Sequence, residues 1–371
     1  MSNLARIGLV SLLCASCNSP SAPPSAPPTA TTIAVSDATP PTVDAGTAAT
    51  GPAQLTSKAL PLPGTTGPVT LDYLVYDGPR SHVWLPVGET GSADVFDTST
   101  GGFTRVDGFK TVEREVRGKK RMMGPSAVTV GDGVVYIGNR ATAEVCVVDQ
   151  KTLKLGKCLT LPVPTDGVSY VASTKEVWVT TPRDHSLTVL DASTPDALKP
   201  KLVIKTDGEP EGYAVDLARG LFYTNLEDKN RTLAIDLKTH AIKSSWSAGC
   251  GADGPRGVAF DGARNFLFVA CTDSVQVLDG GHEGASLGKL ETGAGVDNID
   301  YLDATRTLYV AAAKASRLTV ARIDGKGQPT ILATGTTAEG ARNAVVDATG
   351  TAYLVDPQTA RMLVFGPPPA K

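Results

Sequence analysis

Apolar residues along this chain come in short alternating runs, each closed by Gly, Asp or Asn. That pattern predicts β-strands separated by tight turns. The stretch from Gly208 to Asp236 shows the unit most clearly. A Gly/Pro loop leads into a strand at 213–215, and a turn at 217–220 leads into a second strand at 221–224. A polar loop then precedes a third strand at 232–235, closed by Asp236. The same unit can be laid in register as AVTVGDGVVYIG from Ala127, VSYVASTKEVWVT from Val168 and YAVDLARGLFYTN from Tyr213. It continues as VAFDGARNFLFVA from Val258, IDYLDATRTLYVA from Ile299 and AVVDATGTAYLV from Ala344, with a looser copy, LDYLVYDGPRSHVWLP, from Leu71.

Most of these seven copies begin about 40 to 45 residues apart, the spacing of a four-stranded propeller blade. The third strands end at Asp97, Asp149, Asp191, Asp236, Asp279 and Asp324, where a carboxylate can accept backbone N–H groups and start a turn. Fourth strands follow, for example at 156–161 and 201–205. The last copy stops after LVFG at Leu363, with only PPPAK remaining. Its missing outer strand is expected at the other end of the chain, where SKALPLP (57–63) resembles GKCLTLPVP from Gly156. The expectation is therefore an all-β, seven-bladed β-propeller over residues 55–367, closed by residues 57–62 and followed by a short tail, 368–371. Closure removes the open sheet edge that a linear array would expose.

The segments Thr305–Asp324 and Ala263–Asp279 resemble bacterial YVTN-type propeller repeats, which pair a Leu-Tyr-Val strand with a Val-Ile-Asp strand. The resemblance covers about residues 57 to 367. It implies a secreted or surface binding or scaffold protein and is specific for architecture rather than activity. Tyr136, Trp178, Tyr223, Phe268, Tyr309 and Tyr353 share one repeat position and are expected to pack between blades.

The first residues differ in kind. Residues 1–16, MSNLARIGLVSLLCAS, hold one Arg and an apolar run too short to span a bilayer. Small residues precede Cys17, and the segment resembles a bacterial lipoprotein signal, in which that cysteine is lipidated and becomes the first residue. Cys14 stands where that signal usually has Leu, and Asn18 in place of Asp resembles the outer-membrane case of Gram-negative lipoproteins. The stretch 17–54 is dominated by Pro, Ala, Ser and Thr. It is too poor in large apolar side chains to offset ordering entropy, and it reads as an extended tether. An exported, lipid-anchored location in the cell envelope follows as the expectation.

Exported cysteines form disulfides. With Cys14 removed and Cys17 lipidated, Cys146, Cys158, Cys250 and Cys271 remain. Cys146 and Cys158 fall on adjacent third and fourth strands. Cys250 lies in the loop before the fifth blade and Cys271 at the end of that blade's second strand. These placements predict Cys146–Cys158 and Cys250–Cys271.

Net charge is −3 over 371 residues, which argues against nucleic acid as a partner, because phosphate recognition needs concentrated basic surface. The loops before the first strands carry Asp166, Glu209, Glu211, Arg256, Asp297, Asn298, Asp300, Glu339 and Arg342, and a propeller presents these loops at the mouth of its central tunnel. Arginines there can orient a carboxylate or phosphate. The leading expectation is non-catalytic binding of an envelope protein, peptide or glycan by a monomer, without a cofactor. The alternative is a calcium-dependent lactonase, since PEGYAVD (210–216) is similar to blade openings of gluconolactonase-type propellers. Under that reading Glu211, Asp297, Asn298 and Asp300 would be metal ligands. The usual Asn-Gly of that family is Glu211-Gly212 here.

Streptogramin-lyase-type propellers need a tunnel histidine, whereas His82, His185, His240 and His282 fall outside the first-strand loops and are expected to face solvent. No Gly-x-Ser-x-Gly elbow or phosphate-binding glycine loop occurs. The insertion at 110–123, KTVEREVRGKKRMM, is a basic patch expected to form a solvated hairpin, with anionic lipid or glycan as its alternative contact.

Overall fold

The computed structural model describes residues 51–116 and 118–369. The expected signal peptide (1–16), the lipidation at Cys17 and the tether up to residue 50 lie outside the described residues. Within them the chain forms a seven-bladed propeller of four-stranded antiparallel blades. The inner strands of blades 1 to 7 are Val75–Asp77, Pro125–Val130, Val168–Val171, Pro210–Asp216, Val258–Asp261, Val296–Leu302 and Ala344–Val346.

The core lies between the blades, because each twisted sheet buries its two faces only against neighbours. Seven apolar clusters occupy the seven interfaces. One joins Val145 and Val147 of blade 2 to Val177 and Val179 of blade 3, and another joins Phe268 of blade 5 to Leu308 of blade 6. The seam between blade 7 and blade 1 is packed like the rest, with Met362 and Val355 against Val83 and Leu85. All six aromatics of the shared repeat position are buried in these interfaces, and Trp84 occupies the equivalent place in blade 1.

Ring closure follows the expected route. Ser57–Pro61 pairs antiparallel with Arg361–Phe365 as the outer strand of blade 7. A second device was not expected: Ala53–Leu55 runs parallel to Pro329–Thr336 and adds a fifth strand to blade 6. The strand begins at Ala53, so residues 53 and 54 leave the tether and join the folded body. The reason is packing: Ala53 and Leu55 lean on the apolar cluster between blades 6 and 7, and Gln54 Nε2 donates to Thr334 Oγ1 at 2.8 Å. The chain's beginning therefore grips two neighbouring blades.

The turn aspartates behave as their sequence context requires. Asp97 accepts from Ser99 and Thr100, Asp149 from Lys151 and Thr152, and Asp236 from Lys238 and Thr239. Both disulfides are formed, Cys146–Cys158 and Cys250–Cys271. The insertion is a two-stranded hairpin, Val112–Val116 with Lys119–Met123. His240 departs from expectation, because it is not solvent-facing. Its ring stacks on Trp178, and its Nε2 lies 3.1 and 3.2 Å from the two oxygens of buried Glu176. A positive-φ turn at His240 swings the ring back over the interface of blades 3 and 4.

Candidate functional site at the tunnel mouth

The mouth is built from two positions of the repeat. Each inner strand pairs one residue with the buried aromatic of the next strand: Val75, Thr129, Ser169, Ala214, Ala259, Asp300 and Val345. The residue three places earlier in each blade is Asp72, Ser126, Asp166, Glu211, Arg256, Asp297 and Arg342. These side chains form an inner ring. The residue four places after the aromatic is Arg140 in blade 2 and Glu227 in blade 4, and these two supply charge from an outer ring.

The backbone must approach closely for the rings to meet. A Cβ on Gly212 would lie 2.4 Å from Arg256 O, and one on Gly257 would lie 2.6 Å from Asp297 O. Glycine after Glu211 and after Arg256 therefore lets these neighbouring inner strands converge on the axis. Buried Asn225 fixes the Arg256 loop by donating to Arg256 O at 2.6 Å.

Asp72 is the hub. It is 4% exposed and accepts from both Arg140 and Arg342, the latter at 3.2 Å. Arg140 also pairs with Asp166, Arg342 with Asp297 at 2.8 Å, and Arg256 with Glu227. Burial pushes the Asp72 carboxyl up, but the Arg342 and Arg140 guanidiniums outweigh it and hold the pKa below the usual carboxylate value. Burial pushes Asp166 up to about 6 despite Arg140, with Asp72 and Asp297 adding to the rise. Glu211 has no cationic partner among the described residues. Burial, then the charges of Asp166, Asp72 and Asp297, raise it well above the usual glutamate value. Both carboxyls therefore hold their protons more tightly than free ones do, and the Asp166 charge is the largest charge effect on Glu211.

Beneath the rings, Tyr73 and Tyr213 stack with centroids 5.4 Å apart. Below them a tunnel of about 420 Å³ is lined by inner strands of all seven blades, mostly with Val, Leu and Ile. Above them are three cavities of about 220, 570 and 380 Å³, all bordered by Arg140. The hairpin, treated in the sequence as a separate feature, reaches this mouth: Arg114 donates to Ala141 O at 3.0 Å, and Arg121 and Met123 wall the largest cavity.

Of the residues expected from sequence, Asp166, Glu211, Arg256, Asp297 and Arg342 belong to the rings. Asn298 and Asp300 line the tunnel below. Asn298 Nδ2 donates to Asp72 O at 3.1 Å. Asp300 accepts the backbone N–H groups of Tyr301 and Val346, each at 2.8 Å, and thereby ties blade 6 to blade 7. Glu209 lies on the cavity rim, 4.0 Å from His185, and Glu339 is exposed.

Glu211, Asp297 and Asp300 do not converge as a ligand trio. Among the described residues, the one group of three His, Cys, Asp or Glu ligand atoms within 4.8 Å is Glu144, Cys146 and Cys158, and its two sulfurs are bonded to each other. The sequence reading missed Asp72, Arg140 and Glu227. Asp72 was legible by extending the register into the looser first copy, and Arg140 and Glu227 by reading the position after each second strand.

No family model matches the chain, and no curated protein matches it. Solved structures do. A chain of the mitotic checkpoint complex superposes with TM-score 0.68 at 10% identity, covering 91% of this chain and 98% of that one. The WD40 repeats of RRP9 give 0.66 at 9% identity, over 83% and 97%. A chain of hydrazine synthase from Kuenenia stuttgartiensis gives 0.65 at 14%, over 82% and 98%. At these identities the likeness concerns the fold.

Proposed function

We propose that the protein is a non-catalytic binding module of the bacterial cell envelope, held there by lipid on Cys17, with its partner taken at the tunnel mouth. The observation that carries this reading is the ring geometry. Ionisable side chains from six of the seven inner-ring positions converge with Arg140 and Glu227 around cavities of ligand size. Most of these charges neutralise one another, which presents a preorganised polar surface. Such a surface gives specificity and on-rate to a macromolecular partner. Two formed disulfides support the exported location, and the YVTN-type repeat pattern supports a surface role.

The calcium-dependent lactonase reading has less support, since Asp300 and Asn298 are committed to backbone partners beneath the rings. The test is affinity capture from envelope extracts, comparing the native protein with Arg256→Glu/Arg342→Glu and with Lys243→Glu on the outer strand of blade 4. A partner retained by the native chain and Lys243→Glu but lost by the ring variant supports the reading. Equal capture by all three removes it.

A further inference from the structure

Charge is distributed unevenly around the mouth. The cavity of about 220 Å³ is bordered by three acids, Asp166, Glu209 and Glu211, and by Arg140 and Arg183. The two larger cavities flank the hairpin, share Arg140 and Met123, and are lined by five arginines in all against one acid, Glu115. Arg140 and Arg342 are neutralised by the inner ring. Arg121 and Arg183 have no carboxylate partner among the described residues, and Arg114 donates only to a backbone carbonyl. These three guanidiniums stand along one cleft, between apolar surfaces given by Leu71, Met123 and Pro164.

The hairpin that forms the cleft is held in place. Lys110 at its base pairs with Glu144 at 2.5 Å, and Arg114 reaches Ala141 on blade 2. A Cβ on Gly124 would lie 2.3 Å from Gly88 O, so the hairpin's exit lies hard against blade 1.

We infer that the cleft between the hairpin and the tunnel mouth binds an acidic peptide segment, with carboxylate side chains taken by Arg114, Arg121 and Arg183 and apolar side chains by the walls between them. This rests on the binding reading above and names the chemistry of its partner. Guanidinium forks match carboxylates in bidentate geometry. The two lobes, about 570 and 380 Å³, exceed the size of a single small anion and share a boundary, as an extended chain passing under the hairpin requires. A nucleic acid fits poorly, because no aromatic residue lines either lobe for a base to stack on. A lipid surface fits poorly because the unpaired arginines line a concavity.

The test uses the full-length protein and fluorescence anisotropy with a labelled nonapeptide alternating Glu and Leu, beside its Gln-for-Glu isostere. Binding of the Glu peptide, at least tenfold tighter than the isostere, is expected. Arg121→Gln and Arg183→Gln should each weaken it about tenfold, and Arg231→Gln on the exposed rim of blade 4 should leave it unchanged. Equal affinity for the isostere, or unchanged affinity in both cleft variants, overturns the inference. So does binding of phosphatidylglycerol vesicles or inorganic phosphate in place of the peptide. These failures leave the capture experiment with the Arg256→Glu/Arg342→Glu variant standing, so the two readings fail separately.

Discussion

Aspartate is used in two opposite ways in this propeller. At the outer turns, Asp97, Asp149, Asp236 and Asp324 accept N–H groups from residues two to four places ahead in the chain. At the mouth, Asp72, Asp166 and Asp297 meet arginines 26 to 270 residues away. The turn groups are held below the usual carboxylate pKa by local hydrogen bonds, Asp97 to about 2, led by the Ser99 hydroxyl. Asp166, Asp297 and Glu211 are raised, with burial as the largest cause. The first kind of carboxylate is complete as soon as its turn forms. The second needs neighbouring blades docked and, for Asp72, which meets Arg342 across the seam of blades 7 and 1, a closed ring.

Breaking closure should separate the two. Deleting residues 53–63 removes both N-terminal strands and uncovers Phe365 and Met362, so the loss should exceed a single large core truncation of about 3–5 kcal/mol. Chemical denaturation should show that loss of stability, while deletion of residues 20–50 leaves the midpoint unchanged. At the hub, Arg140→Met leaves Asp72 and Asp166 without their shared cation. About 3 kcal/mol of destabilisation is expected, and Asp72→Asn on that background should recover part of it, as measured by a double-mutant cycle.

The pH dependence sharpens the same contrast. Glu211 and Asp166 bind their protons more tightly folded than unfolded, so they favour folding at low pH. Their contribution is lost as pH rises from about 4 through the folded value, about 6 for Asp166. The turn aspartates run the other way, and their contribution is lost as pH falls below about 4. Glu211→Gln should therefore flatten the fall in stability between pH 4 and 7 and leave the acid limb intact, as read from melts across that range. The smallest effect is expected at a turn. Asp191, which accepts from Ser193 N at 2.9 Å, sits in solvent, and Asp191→Ala should cost no more than about 0.5 kcal/mol.

Legibility in the sequence follows the same division. The blades, their number, the closing strand at 57–61 and both disulfides are written in local periodicity and spacing, because a strand and its turn are neighbours in the chain. The turn aspartates share that property. The mouth was half legible. Five ring residues were found by their place before an inner strand, but Asn298, Asp300, Glu209 and Glu339 share those loops and point elsewhere. One residue along a strand reverses its face, and only the exact register sorts them. Arg140 and Glu227 belong to the far end of a different strand, and the angular position that brings them to the axis is a property of the assembled ring. His240 fell outside expectation for a related reason: its positive-φ turn carries it to a partner in the preceding blade.

The parallel strand at Ala53–Leu55 has a mechanical consequence. Any pull transmitted along the chain from upstream of Gly51 meets three residues of blade 6 first, and only then the latch on blade 7. The route ends at the one junction whose opening would unroll the whole circle. Tension at that end would therefore load the outer edges of blades 6 and 7, the strands farthest from the inner strands that carry the charged rings.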